Sequence, residues 1–253
     1  MYYFAGYCRA SNYIYTYQLH KSLYSLLSND YRIVVVEKAG YGFSDVADVA
    51  RDINTVLQET RTALKLADIN GPFVLCPHSM SGIEALYWAQ MYPNEITAII
   101  GLDMSVPQSY KDYQINTALI NLAAFAANTG ITRWSPSIAE SDAIKYGTLS
   151  ESEKELYRTI FYRRTATKSM LIELKQIKAS AEIVALNGIP EVPMLLFSSN
   201  GQGTGWDEEQ WRFFQKEYID LVANGTLVEL NCSHYVHDIE YFYISENIKK
   251  YLN

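Results

Sequence analysis

Between Gly71 and Pro93 the apolar pattern of the chain changes period once, and a serine sits at the change. Pro72-Phe73-Val74-Leu75-Cys76 is a short apolar run, which predicts a buried parallel strand. Beyond Pro77-His78-Ser79-Met80-Ser81-Gly82, the residues Ile83, Leu86, Tyr87 and Met91 recur at helical spacing until Tyr92-Pro93 closes the helix. Ser79 therefore falls at a strand-to-helix turn, the place of a nucleophile elbow. Such a turn crowds the backbone on both sides, and glycine is usual two residues before and two after. Here those places hold Pro77, whose fixed φ suits a strand end, and the small Ser81. The other reading of this stretch is a serine-rich helix N-terminus in which Ser79 or Ser81 only caps N–H groups.

Strand and helix patterns alternate along the rest of the chain, as a doubly wound, mostly parallel sheet requires. Strands are expected at Met1 to Ala5, Arg32 to Val36, Ile96 to Leu102, Val192 to Phe197 and Thr226 to Leu230. Helices are expected at Tyr17 to Leu27, Asp45 to Leu66 and Tyr241 to Leu252, the second with Val49, Ile53, Val56, Leu57 and Leu64 on one face. About 90 residues separate Leu102 from the next strand, more than any ordinary connection. They read as helices, clearest at Leu119 to Ala127, Glu151 to Arg164 and Lys168 to Leu186.

Two further motifs join the elbow. Gly40-Tyr41-Gly42-Phe43-Ser44-Asp45 follows the apolar strand Ile33-Val34-Val35-Val36, with Glu37 just before it, and Ser233-His234-Tyr235 precedes a terminal amphipathic segment. In that order the three motifs resemble the α/β-hydrolase family, and the resemblance runs from Met1 to the C-terminus. It implies an α/β-hydrolase core at residues 1–104 and 191–253 and a helical cap at residues 105–190. It also implies a nucleophile, acid and base in that order along the chain. Met1 to Gly6 resembles the family's third strand and the start of its oxyanion loop, so the usual first two strands are missing. An anchor or signal could precede this sequence, which would make the protein membrane-anchored or exported rather than cytoplasmic. Without the second strand, Ile33 to Val36 is expected to form a sheet edge, open to another segment or to a second copy of the chain.

Composition narrows the partners. At 253 residues and 49% hydrophobic the chain can bury one sizeable core. A net charge of -7 with no dense Lys/Arg cluster argues against nucleic acid. The three cysteines, Cys8, Cys76 and Cys232, lack metal-ligand spacing and are odd in number, which points to reduced thiols and a cytosol-like compartment. No segment reaches the ~18 apolar residues of a membrane span.

A serine hydroxyl needs a base within hydrogen-bond reach and a carboxylate to set that base's tautomer. Of the four histidines, His20 is expected on a surface helix and His78 to point away from the pocket, while His234 matches the family's base. His237 is read as structural, with exchange of the two roles as the alternative. The family's usual acid position reads Ser198-Ser199-Asn200-Gly201-Gln202-Gly203 and holds no carboxylate. Asp103, ending the strand after the elbow helix, is the candidate acid, as in some haloalkane dehalogenases; Asp207 is the alternative acid, and otherwise a helix N-cap. The backbone N–H groups of Tyr7 and Met80 would form the oxyanion hole. Such chemistry needs no cofactor or metal.

The expected activity is that of a serine hydrolase cleaving a small carboxylic ester, or an amide, through an acyl-enzyme. Trp134, Tyr146, Tyr157, Phe161 and Tyr162 of the cap, with Tyr7, Tyr41 and Trp206, suggest an apolar or aromatic substrate. A proline-releasing aminopeptidase, a C–C bond hydrolase and a non-catalytic binding protein on a hydrolase scaffold remain alternatives.

Overall fold

A computed structural model describes residues 3–6 and 16–253. Six parallel strands form one sheet: β1 (Tyr3–Gly6), β2 (Arg32–Val35), β3 (Phe73–Leu75), β4 (Ile96–Leu102), β5 (Met194–Ser198) and β6 (Gly225–Glu229), in the order β2-β1-β3-β4-β5-β6. The order reverses between β1 and β3. Ligands of open α/β sheets bind beyond the strands' carboxyl ends at such a reversal, and Ser79 lies just past β3. Among the described residues β2 pairs only with β1 and is an edge, as expected.

Alternation along the strands feeds two apolar layers. Phe73, Leu75, Ile99, Met194 and Leu196 pack on one face with α2 (Ile53–Leu66), α3 (Ser81–Met91) and the end of α9 (Glu208–Ile219). Val74, Cys76, Ile100, Leu102, Leu195 and Phe197 pack on the other with α1 (Thr16–Leu27) and α11 (Tyr241–Leu252). Leu75 and Phe197 are fully buried, and truncating either to alanine would cost about 3 to 4 kcal/mol.

The segment between β4 and β5 is helical, with α4 (Gln108–Lys111), α5 (Thr117–Asn128), α6 (Asp142–Lys145), α7 (Glu151–Arg164) and α8 (Lys168–Leu186). Its own small core gathers Ala143, Ile144, Tyr157, Ile160 and Phe161. A capping box sets the start of α7, Ser150 accepting from the Glu153 N–H while the Glu153 carboxylate accepts from that of Ser150. Among the described residues no helix is long and apolar enough to cross a membrane.

Two expectations change. The helix expected from Asp45 begins only at Ile53, because the Asp52 carboxylate accepts the Thr55 N–H at 3.0 Å and caps it there. Val49, expected on its buried face, is exposed. His20, expected at the surface, is fully buried.

Candidate active site

The elbow forms where the change of period places it. Ser79 has φ +55°, a strained conformation for a residue with a Cβ. The end of β4 and the loop after it clamp the turn: the Ser105 N–H donates to the Ser79 carbonyl at 2.8 Å, and the Leu102 N–H to that of Pro77 at 2.8 Å. Proline is thus admissible there, since this pairing uses its carbonyl and not the N–H it lacks. Gly82 packs against the Ser105 carbonyl so closely that a Cβ would collide with it. Met80 occupies the N-cap of α3.

Asp103 also has a positive φ, +49°, at the turn ending β4. Its N–H donates to the Phe197 carbonyl at 2.8 Å, which ties it to β5. The carboxylate is fully buried. Its Oδ1 accepts from the Ser199 N–H at 2.7 Å and the Trp211 indole N–H at 2.8 Å. The Ser198-Ser199 loop, which has no acid of its own, supplies a donor instead.

His234, in the loop after β6, joins the two. Its Nδ1 lies 2.5 Å from Asp103 Oδ2, and its Nε2 lies 2.9 Å from Ser79 Oγ. A carboxylate can only accept, so Nδ1 carries the proton and Nε2 is left to accept the Ser79 hydroxyl. The three side chains are almost entirely shielded from solvent.

A cavity of about 320 Å³ opens on Ser79 and His234. Tyr110, Tyr113, Trp206, Ile120 and Leu174 form much of its wall, and no Lys, Arg, Asp or Glu is among the described lining residues. Among the described residues no group of three His, Cys, Asp or Glu side chains could hold a metal ion.

No protein-family model matches the chain. Over 184 residues, 71% of its length, it is 39% identical to YbdG, an uncharacterized protein of Bacillus subtilis (strain 168). That match takes in 57% of the relative, so the chain spans a little over half the length of the curated relative it matches. Among solved structures, Cfl2 of Burkholderia cenocepacia is similar over 100% of this chain and 88% of its own, with a TM-score of 0.75 and 16% identity. A thermophilic esterase of Thermogutta terrifontis is similar over 100% and 89%, at 0.73 and 12%. An enol-lactonase of Burkholderia xenovorans LB400 is similar over 99% and 91%, at 0.72 and 14%. The chain has the α/β-hydrolase fold.

Within this hydrolase fold the remaining candidates sort out by position. Asp207 is exposed and caps α9, accepting the Gln210 N–H at 2.8 Å, whereas the carboxylate on His234 Nδ1 is that of Asp103. His237 lies in α10 (Val236–Ile239), fully buried, with neither ring nitrogen hydrogen-bonded. Burial and the neighbouring His20, His78 and His234 hold its pKa well below the usual histidine value. Tyr7 lies outside the described residues.

The aromatic residues expected at the pocket are a correction. Trp134 and Tyr146 are exposed, Tyr157 and Phe161 are buried in the core of the helical segment with Tyr162 packed against it, and Tyr41 is buried beside Lys38. Among the described residues of that group only Trp206 lines the cavity, and the pattern gave no sign of Tyr110, Tyr113 and Trp211, which also line it. Aromatic residues at helical spacing in α7 serve packing, whereas the cavity wall takes residues from α4, α5, α8, α9 and the loops between elements, so no one period runs through it.

Proposed function

We propose that the protein is a serine hydrolase that cleaves a small, uncharged carboxylic ester through an acyl-enzyme. The observation that carries this reading is the continuous hydrogen-bonded line from Asp103 through His234 to Ser79, ending at a cavity. Two solved structures of the same fold bear the names esterase and enol-lactonase, which supports ester chemistry.

In this reading Ser79 Oγ attacks the ester carbonyl carbon as His234 Nε2 takes its proton. Asp103 holds the imidazole in the Nδ1–H form and stabilises the imidazolium. The Met80 N–H, at the start of α3, and the N–H of Tyr7 stabilise the oxyanion. The tetrahedral adduct collapses, the C–O bond to the alcohol breaks, and His234 returns its proton to the departing oxygen. Water then repeats the sequence on the acyl-Ser79 ester, releasing the acid. No step needs a cofactor.

The residues around the cavity select an uncharged substrate, because a charged group would lose its hydration there without meeting a counter-ion among the described lining residues. The Tyr113–Trp206 pair, with ring centroids 6.1 Å apart, offers an aromatic wall to an apolar or aromatic acyl group. The same feature favours an ester over a peptide with a free amino terminus, whose ammonium would call for a carboxylate. Residues 105–190 act as a cap over this site. Reaction of the intact protein with a fluorophosphonate tests the proposal: one adduct, located at Ser79 by mass, is expected, and an unmodified Ser79 would refute it.

A further inference from the structure

All four histidines of the chain meet in one buried cluster. The His78 ring lies 4.4 Å from that of His234 and 4.6 Å from that of His237. His237 in turn stacks on His20 at 3.9 Å, with the planes only 3° apart. Tyr24 and Tyr235 flank the group. Asp238 is buried beside it, and burial, with Asp142 nearby, raises its carboxyl well above the usual range.

His78 has one contact the others lack. Its Nε2 lies 3.0 Å from the His234 carbonyl oxygen, and since a carbonyl only accepts, Nε2 carries a proton and donates. His78 is also fixed at its own end: it precedes Ser79 and forms a backbone bridge with Leu102, one residue before Asp103. The segment that carries the hydroxyl and the loop that carries the imidazole are therefore joined twice, once ring to hydroxyl and once His78 to main chain. A loop held at its carbonyl leaves the His234 side chain little freedom except rotation toward Ser79 and Asp103.

We propose that His78 is a positioning residue, whose Nε2–H holds the His234 main chain so that the imidazole bridges Ser79 and Asp103. The proposal rests on the triad reading above. Donation from Nε2–H needs only the neutral ring, so His78 can hold the carbonyl without placing a positive charge 4.4 Å from the imidazolium that acyl transfer would create.

The test is the rate constant for fluorophosphonate modification of Ser79, followed by intact mass across pH 5 to 9. His78→Phe keeps a ring and removes the donor; His78→Gln keeps an N–H at about the reach of Nε2. For His78→Phe we expect a plateau at least tenfold lower. His78→Gln should stay within about threefold of the unaltered protein. Equal plateau rates in His78→Phe and the unaltered protein would overturn the proposal, as would a His78→Gln protein as slow as His78→Phe. Nitrogen-15 spectra of the native protein give a second reading that does not depend on a variant folding: His78 should be the Nε2–H tautomer, and the Nδ1–H tautomer would overturn the proposal. Absence of any adduct at Ser79 in the unaltered protein would remove the triad reading and this proposal with it, whereas an adduct with an indifferent His78→Phe removes this proposal alone.

Discussion

Two buried polar groups of this molecule solve the same problem in opposite ways. Around Asp103 a single carboxylate is satisfied by a backbone N–H, an indole N–H and an imidazole, and among the described residues no Lys or Arg pairs with it. Around Lys38, carboxylates outnumber cations. Lys38 Nζ lies 2.5 Å from both Glu84 of α3 and Glu173 of α8, and Arg51 pairs with Glu59 and, at 3.7 Å, with Glu173. Two basic side chains thus meet three acids. Burial pushes the Glu84 carboxyl up to about 7, with Glu173 adding to the rise and Lys38 opposing it.

On the proposed function the difference separates a reacting centre from a structural one. Neutral donors satisfy the Asp103 carboxylate without cancelling its field, which on that reading is left to stabilise the positive charge that acyl transfer would place on His234. A lysine in their place would stabilise the resting carboxylate and leave less for the transition state. The Lys38 group has no such vacancy. It ties the loop after β2 to α3 and α8, helped by Ser169, whose hydroxyl bonds both the N–H and carbonyl of Ala47.

Substitutions in the two groups should therefore differ in kind as well as size. Ser79→Ala and His234→Ala should each lower ester turnover roughly a million-fold while folding normally. Steady-state rates with p-nitrophenyl esters read this, and a Ser79→Ala protein with ordinary turnover would erase the contrast at once. Asp103→Asn should cost roughly ten-thousandfold, because the amide favours the wrong imidazole tautomer; a loss under tenfold would mean that another group orients His234.

Glu84→Gln should leave turnover within a few-fold and change instead how stability depends on pH. The folded Glu84 carboxyl, near 7 against an ordinary 4.5, binds its proton more tightly than the unfolded one. Its contribution is fully present below pH 4.5 and is lost as pH rises through 7, a change of at most about 3 kcal/mol. Urea unfolding at pH 5, 6 and 7.5 should show a flatter profile for Glu84→Gln; the same slope in both proteins would show that Glu84 does not titrate in this window. Least affected should be Asp207→Ala, losing about 1 kcal/mol with the α9 cap and no turnover. A large drop in turnover would instead bring Asp207 into the reaction.

The legible part of this molecule was the part with a period. The change from apolar run to helical spacing located Ser79, and the end of the β4 run located Asp103. His20 was also legible: His20, Leu23, Tyr24 and Leu27 follow the i, i+3, i+4, i+7 spacing of a buried helix face. The Asp52–Thr55 pair likewise marks the start of α2. Lys38 and Arg51 gave no such signal, since nothing local distinguishes a lysine that will be buried among acids brought in from α3 and α8. The cavity wall was hidden for a similar reason: Tyr110, Tyr113 and Trp206 converge only through tertiary structure.

The helical segment between β4 and β5 has a consequence best expressed as chain statistics. His234 and Asp103 are 131 positions apart, and about 90 of those belong to that segment. Closing a flexible loop costs free energy only as the logarithm of its length, so removing all 90 would ease the meeting of imidazole and carboxylate by about 1 kcal/mol. Lengthening, shortening or rewriting the segment is thus nearly neutral for assembling the reacting atoms, although Tyr110, Tyr113, Ile120 and Leu174 in it shape what reaches them. On the proposed function, substrate preference is free to drift through that stretch while the hydroxyl, imidazole and carboxylate keep their places.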